Sequence, residues 1–308
     1  MKTSIADRAL DAYLADTRTR VDAVLERWCT RAEAFWPAPV PAAVRYSVLS
    51  EGKRLRPTLV FAAYEAMGGD TGAGGIAEIA AAVEVVHAYS LIHDDLPCMD
   101  NDDLRRGRPT VHRAFDVPAA TSAGFHMVGL AARVLVSGLD ALDLPPERRR
   151  GIALELFRAA GAGGMIGGQV LDLEAEGRVI PLDALREVHQ RKTGALIAAA
   201  CVIGGLATDG VAPGEHLAAL RAYGEAIGLA FQIADDVLDA TATSAQLGKT
   251  AGRDAALAKS TFVSVLGVGA ARAEAERLAA TAVDRLRQAA LVSPTLVALA
   301  HYIVTRPN

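Results

Sequence analysis

The stretch 76-IAEIAAAVEVVHAYSLIHDD-95 decides the class of fold. Apolar residues recur along it at three- and four-residue steps, the spacing of a helix, until Pro97 ends the pattern. Working outward, stretches 147–160, 183–204, 216–239, 271–290 and 294–304 carry the same period. The chain is rich in Ala, Leu and Glu/Arg, poor in aromatics and nearly free of alternating β-branched runs, a composition that favours helices. Gly- and Pro-bearing breaks fall near 37–41, 67–75, 107–109, 145–146, 177–181, 209–214 and 248–252. These breaks are short, and no fixed-period repeat or linker divides the chain. The expectation is one all-α domain over residues 1–308, a bundle of roughly ten or more helices. Segment 195-ALIAAACVIGGLA-207 is apolar around most of its circumference, so it belongs inside the bundle or at a subunit contact.

The bulk numbers exclude several classes. Of 308 residues, 51% are hydrophobic and 22% charged, enough apolar material for a sizeable core and unlike a disordered chain. A formal charge of -4 gives no footprint for nucleic acid, which favours a basic face. Cys29, Cys98 and Cys201 are widely spaced and odd in number, so they suggest neither a zinc pair nor a disulfide framework. The N-terminus lacks the apolar run of a signal peptide. No window holds ~18 uninterrupted apolar residues, so no membrane span is expected. Together these features predict a cytoplasmic protein.

Two aspartate clusters carry the chemistry. Asp94, Asp95 and Asp100 come first, followed by Asp102 and Asp103. Carboxylates at a helix C-terminus oppose the macrodipole and repel one another, unless a cation sits among them. Pro97 turns the chain so that Asp100 can return beside the pair. The second cluster, Asp235, Asp236 and Asp239, lies in 229-LAFQIADDVLDA-240. Asp235 and Asp239 share a helix face with Gln232 and Phe231 on or near it. Carboxylates set into an apolar helix are costly unless paired or metal-bound. Oxygen donors without Cys or His point to Mg²⁺, which bridges protein carboxylates and substrate phosphates.

Basic residues accompany both clusters. Lys53, Arg54 and Arg56 crowd 52-GKRLRP-57; Arg105 and Arg106 open 105-RRGRPT-110; Lys192, Lys249 and Lys259 are scattered later. Any one run reads as a solvated surface. Interleaved with the carboxylates, they suggest a metal–diphosphate cage, since Arg grips phosphate with a planar fork and Lys acts as a point charge. His87, seven residues before Asp94, shares that helix face and is read as a phosphate contact.

These residues resemble the trans-isoprenyl diphosphate synthases, specifically the short-chain farnesyl and geranylgeranyl type. The resemblance rests on 52-GKRLRP-57, 87-HAYSLIHDDLPCMDNDDLRRG-107, Gly168-Gln169 with Asp172, Lys192-Thr193-Gly194, 231-FQIADDVLD-239 and 247-LGKTAGRD-254 with Lys259. It runs from about residue 40 to the C-terminus. It implies an all-α fold around a central apolar cavity, a homodimer, and two substrates: isopentenyl diphosphate and an allylic diphosphate (dimethylallyl, geranyl or farnesyl). Asp94, Asp95, Asp100, Asp235, Asp236 and Asp239 would hold Mg²⁺ on the allylic diphosphate, with Arg105, Lys192, Lys249 and Lys259 touching that diphosphate. Lys53, Arg56, His87 and Arg106 would bind the isopentenyl diphosphate, with Arg54 close by. Thr193 and Gln232 would face the developing cation. Tyr89, five residues or about 7.5 Å before Asp94 on a helix, and small Ser90 resemble the chain-length positions of bacterial farnesyl synthases. The expected product is C15, with C20 the alternative. One segment departs from the pattern: 123-AGFHM-127 stands where Ala-Gly-Asp-Ala-Leu is common.

Rival readings fit less well. A di-iron bundle needs a second Glu-x-x-His pair beside Glu84–His87, and none is present. A terpene cyclase has no use for Lys53, Arg56 and Arg106 as a second diphosphate site. A non-catalytic partner subunit usually lacks one aspartate motif, and both are complete here.

Overall fold

A computed structural model describes residues 5–72, 74–208, 214–241, 259–291 and 293–306. The chain is all-α apart from one two-residue antiparallel ladder among the described residues. Its backbone contacts group into two compact units, Met1–Phe61 with Asp70–Arg149, and Ala62–Gly69 with Arg150–Asn308.

The first unit holds α1 (Ile5–Glu33), α2 (Val40–Val48), α3 (Leu55–Ala66) as far as Phe61, α4 (Ile76–Asp94), β1 (Leu104–Arg105), β2 (Arg108–Pro109), α5 (Val111–Ala114) and α6 (Val117–Ala141). Helix α4 is its axis. Ile79 through Val86 are all buried, including Glu84, so the helix is enclosed on every side, as an apolar helix without a polar stripe must be. It ends at Asp94, three residues before Pro97, which lacks the amide needed to continue. Helix α6 packs along α4 and starts where the Asp116 carboxylate accepts the amide of Ala119 at 2.7 Å, a side-chain N-cap.

Helices α4 and α6 are long and apolar enough to cross a membrane, which single-run counting in the sequence did not reveal. Burial explains α4: 72% of its most apolar window lies inside the protein, as in a core helix. On α6 that share is 50%, and Val117, Phe125, Val128 and Val136 form an exposed apolar row.

The second unit holds α7 (Pro146–Ala160) from Arg150 onward, α8 (Met165–Ala175), α9 (Leu182–His189), α10 (Ala195–Leu206), α11 (Gly214–Thr241), α12 (Phe262–Leu266), α13 (Val268–Gln288) and α14 (Pro294–Thr305). A π-helical turn over Gln190–Gly194 joins α9 to α10. Helix α10 is buried from Leu196 to Gly205, as its uniform apolarity requires. Leu229, Ile233 and Val237 of α11 pack with Leu185, Phe262, Ala271 and Ala275, the small alanines letting α13 lie close. Tyr223 is fully buried, and its hydroxyl donates to the Leu296 carbonyl at 2.6 Å, which satisfies the one polar atom it takes inside.

Candidate active site

The first carboxylate group is built by the loop that follows α4. The Asp100 amide donates to the Asp94 carbonyl at 2.9 Å, and that of Asp102 to the Asp95 carbonyl at 3.2 Å. These bonds fold residues 96–103 back onto the helix end and bring Asp100 beside Asp94. The short β1–β2 ladder then pairs Arg105 with Arg108 across Arg106-Gly107. Both turn residues have positive φ, 53° and 74°, as a tight hairpin turn demands. Of five non-glycine residues with positive φ among those described, Arg54, Asn101 and Arg106 lie in these charged loops. Such backbone is uncommon and tends to gather where a site must hold a set geometry.

Arg105 grips Asp95 from Nε at 3.0 and 3.3 Å and from Nη2 at 2.5 Å, and reaches Asp102 at 3.3 Å. Burial raises the Asp95 carboxyl above its ordinary pKa, with Arg105 opposing the shift. Arg106 donates to the Glu51 carbonyl at 2.6 Å, which ties the hairpin to the 52–57 segment. Lys53 is exposed, Arg56 buried, and His87 half-buried on α4. Burial, then the charges of Arg56, Arg106, Arg105 and Arg54, hold the His87 imidazole well below its ordinary pKa. At neutral pH it is therefore an uncharged hydrogen-bonding group.

Arg54 differs from its expected role. It is 4% exposed, and its donors go to Asp22 at 2.8 Å, Glu84 at 2.9 Å, and the Val48 and Ser50 carbonyls at 2.9 and 3.0 Å. A guanidinium so enclosed braces α1 and α4 and has little left to offer a substrate.

The second carboxylate group stands on α11. Asp235 keeps 41% of its side chain exposed and pairs with Arg306, whose guanidinium also lies 3.8 Å over the Phe231 ring. Asp236 is 4% exposed, and both its oxygens accept from the protein: the Phe262 amide at 2.8 Å and Gln232 Nε2 at 3.3 Å. His189, stacked on Phe262 with centroids 5.6 Å apart, places Nε2 at 3.6 Å from the same carboxylate. Both oxygens of Asp236, which the sequence places with the metal ligands, thus accept hydrogen bonds within the protein. Asp239 is 7% exposed.

Thr193 donates to Gln232 Oε1 at 3.0 Å, so the two residues expected to face a cation form one unit. Lys192 and Lys259 converge on Asp172 Oδ2 at 2.7 and 3.2 Å. Burial pushes the Asp172 carboxyl up, yet the two ammonium groups together outweigh it and hold the pKa below its ordinary value. Gly168 makes this convergence possible. A Cβ there would lie 2.1 Å from the Lys192 amide nitrogen, so only glycine lets α8 approach the π-helical turn. Gln169, 6% exposed, has neither amide atom hydrogen-bonded, and a buried group left so marks where a ligand or water belongs. A recess of about 520 Å³ in this unit is lined by Glu155, Arg158, Arg191 and Arg221, with none of the aspartates.

Lys249 and the motif 247–254 lie outside the described residues. Sequence reasoning missed Arg306, His189 and Phe262. Nothing in the linear pattern ties them to Asp235 or Asp236; only the tertiary contacts do.

Among the described residues, no three His, Cys, Asp or Glu side chains gather closely enough to form a metal cage. Mg²⁺ does not need one, since it commonly takes one or two carboxylates and completes its shell with water and substrate phosphate. The all-oxygen donor sets at Asp94/Asp100 and Asp235 fit that habit.

The polyprenyl synthetase family model matches residues 38–296. The chain belongs to the polyprenyl synthetase family. It is 46% identical over 275 residues to farnesyl diphosphate synthase of Escherichia coli (strain K12), covering 88% of this chain and 91% of that one. It is 44% identical over 280 residues to geranylgeranyl pyrophosphate synthase 12, chloroplastic, of Arabidopsis thaliana, with 88% and 75% covered. Among solved structures, a geranyltransferase from Legionella pneumophila superposes with a TM-score of 0.81 at 36% identity, covering 98% and 97%. Another, from Helicobacter pylori and complexed with magnesium and isoprenyl diphosphate, gives 0.74 at 29% identity, with 98% and 97% covered. This polyprenyl synthetase is accordingly a short-chain trans-prenyltransferase with the all-α isoprenoid synthase fold.

Proposed function

We propose that this enzyme joins isopentenyl diphosphate to an allylic diphosphate (dimethylallyl, then geranyl) and releases farnesyl diphosphate. The observation that carries the reading is the returned loop after α4, which sets Asp94, Asp95, Asp100, Arg105 and Arg106 around one helix end. Cations beside carboxylates at such density suit a ligand that brings both metal and phosphate. Asp94, Asp95 and Asp100 in one unit, and Asp235, Asp236 and Asp239 in the other, are the proposed Mg²⁺ ligands. Bound Mg²⁺ supplies Lewis-acid stabilisation of the leaving diphosphate.

The residues of the chain have the following proposed roles. Arg105, Lys192 and Lys259 stabilise negative charge on the allylic diphosphate as its C–O bond breaks and the electron pair leaves with it. Lys53, Arg56, Arg106 and neutral His87 hold isopentenyl diphosphate. Its double bond attacks the allylic carbon, a C–C bond forms, and one proton is lost to the departed diphosphate. Thr193 and Gln232 present oxygen dipoles to the developing cation, and Gln169 keeps an uncommitted amide for substrate or water. The apolar surroundings of α4 and α10 exclude water that would otherwise hydrolyse the cation.

Tyr89 supports the C15 assignment. It is 6% exposed, one turn and more before Asp94, with small Ser90 beside it. Burial, then Asp94, pushes its hydroxyl pKa to about 12, so it stays a neutral bulky ring. A C20 product is the second reading, favoured by the near-equal identity to a geranylgeranyl pyrophosphate synthase. The enzyme works as a homodimer, with the exposed apolar row of α6 as the support for that view. Chain-length analysis after incubation with Mg²⁺, labelled isopentenyl diphosphate and each allylic primer tests the assignment. A C15 end product supports it, and accumulation of C20 replaces it with the second reading.

A further inference from the structure

Tyr89 does not stand alone on α4. His93, one turn further on, meets it edge-on with centroids 5.9 Å apart and ring planes at 76°. Phe125 of α6 meets His93 in the same fashion, at 5.4 Å and 75°. His93 is also seated on the α6 backbone. Its Nε2 lies 3.3 Å from the Thr121 carbonyl, and a Cβ at position 124 would come within 2.0 Å of that nitrogen. Glycine at 124 is therefore a condition for the ring to sit where it does. All five residues belong to one compact unit.

Phe125 is 66% exposed within one chain, so packing inside its own chain does not account for its place in this ladder. What it supplies is an edge-to-face contact that fixes the plane of His93, and through it the plane of Tyr89. Two consecutive ring pairs leave Tyr89 little freedom to swing away from its position.

We infer that Phe125 and His93 are positioning residues that hold Tyr89 in place and so set the length of the product. The inference rests on the elongation reading above. Neither residue touches the reacting atoms; each acts through the next ring. When Phe125 is lost, His93 can rotate off Tyr89, Tyr89 gains rotamers, and a longer chain fits beneath it. The 123-AGFHM-127 segment, odd by the family pattern, is then part of the length-setting device.

The test compares product distributions of the parent, Phe125→Ala, Phe125→Tyr, Gly124→Ala and Tyr89→Ala with geranyl diphosphate, isopentenyl diphosphate and Mg²⁺. Phe125 lies in the exposed α6 row taken above as the homodimer face, so a circular dichroism melt and a size-exclusion profile check that its truncation leaves both the fold and the assembly intact. The expected result is a rise in the ratio of C20 to C15 of about two- to tenfold in Phe125→Ala, the fold-change that losing one ring pair carries. Phe125→Tyr keeps the ring and keeps the parent ratio. Gly124→Ala displaces His93 without removing a ring and moves the ratio in the same direction. Tyr89→Ala sets the upper limit of the shift. A merely structural role would change total turnover and leave the ratio alone. If the parent elongates and Tyr89→Ala lengthens the product, but Phe125→Ala keeps the parent ratio, the positioning inference fails and the elongation reading stands. A parent that forms no elongated product overturns both.

Discussion

Arg54 and Arg56 sit two residues apart in the same basic run, yet the fold treats them differently. In sequence they are interchangeable cations, and both read as diphosphate ligands. Burial separates them only once α1, α4 and the 48–50 carbonyls close around Arg54. Removing one partner of a buried ion pair leaves the other uncompensated. Arg54→Leu should therefore cost about 3–5 kcal/mol of stability, read as a lowered urea midpoint at unchanged m-value; a loss no larger than that of an exposed cation such as Lys53→Ala would contradict the bracing role. His87 gives a pH prediction. Its folded pKa lies below the ordinary 6.5, so the unfolded chain takes up a proton that the folded protein refuses. Stability thus falls as pH drops below about 6.5. His87→Gln should lose less melting temperature than the parent between pH 7 and 5, and an equal loss would show that other groups carry the acid sensitivity. Asp94, Asp95, Asp100 and Asp235 were legible as a charged set because carboxylates on apolar helices are rare. The contacts of Asp236 were not, since its partners Phe262 and His189 are 26 and 47 positions away.

Helices were legible wherever the 3.6-residue period was clean, as in α7, α11 and α13, because burying one face is what their sequences can do, and α4 was legible through its long, nearly unbroken apolar run. The π-helical turn at Gln190–Gly194 was not. Its five residues read as ordinary helix, and only the lysine–threonine pair hinted at a special role. Such turns widen a helix locally and recur at functional sites. Here the turn carries Lys192 toward Asp172 and Thr193 toward Gln232. Gly168 is its counterpart on α8. Gly168→Ala places a methyl against the Lys192 backbone at 2.1 Å, which neither element can relieve without moving. The expected outcome is a turnover loss of about tenfold or more, as small misplacements of positioned groups cause, together with a lowered melting temperature. Retention of full turnover would mean that the close approach of α8 has no bearing on catalysis.

At the scale of the whole molecule, composition set the class and little else. High apolar content with few aromatics gave an all-α chain, while the modest net charge only removed nucleic acid from consideration. The sequence suggested one all-α domain; the grouping of backbone contacts into two compact units has no marker in it, because the breaks between helices are short everywhere. Each unit carries its own carboxylates and its own cations: Asp95 with Arg105 in one, and Asp172 with Lys192 and Lys259 and Asp235 with Arg306 in the other. On the proposed reading, these groups suit a reaction that takes two diphosphate substrates and a divalent metal. The most direct test is primer-dependent incorporation of labelled isopentenyl diphosphate, measured with Mg²⁺, after EDTA, and after Mg²⁺ is restored. The account predicts labelled prenyl product only when geranyl diphosphate and Mg²⁺ are both present, with EDTA abolishing it and added Mg²⁺ returning it. Diphosphate released from geranyl diphosphate alone with an unlabelled hydrocarbon as product, or incorporation unaffected by EDTA, would contradict it.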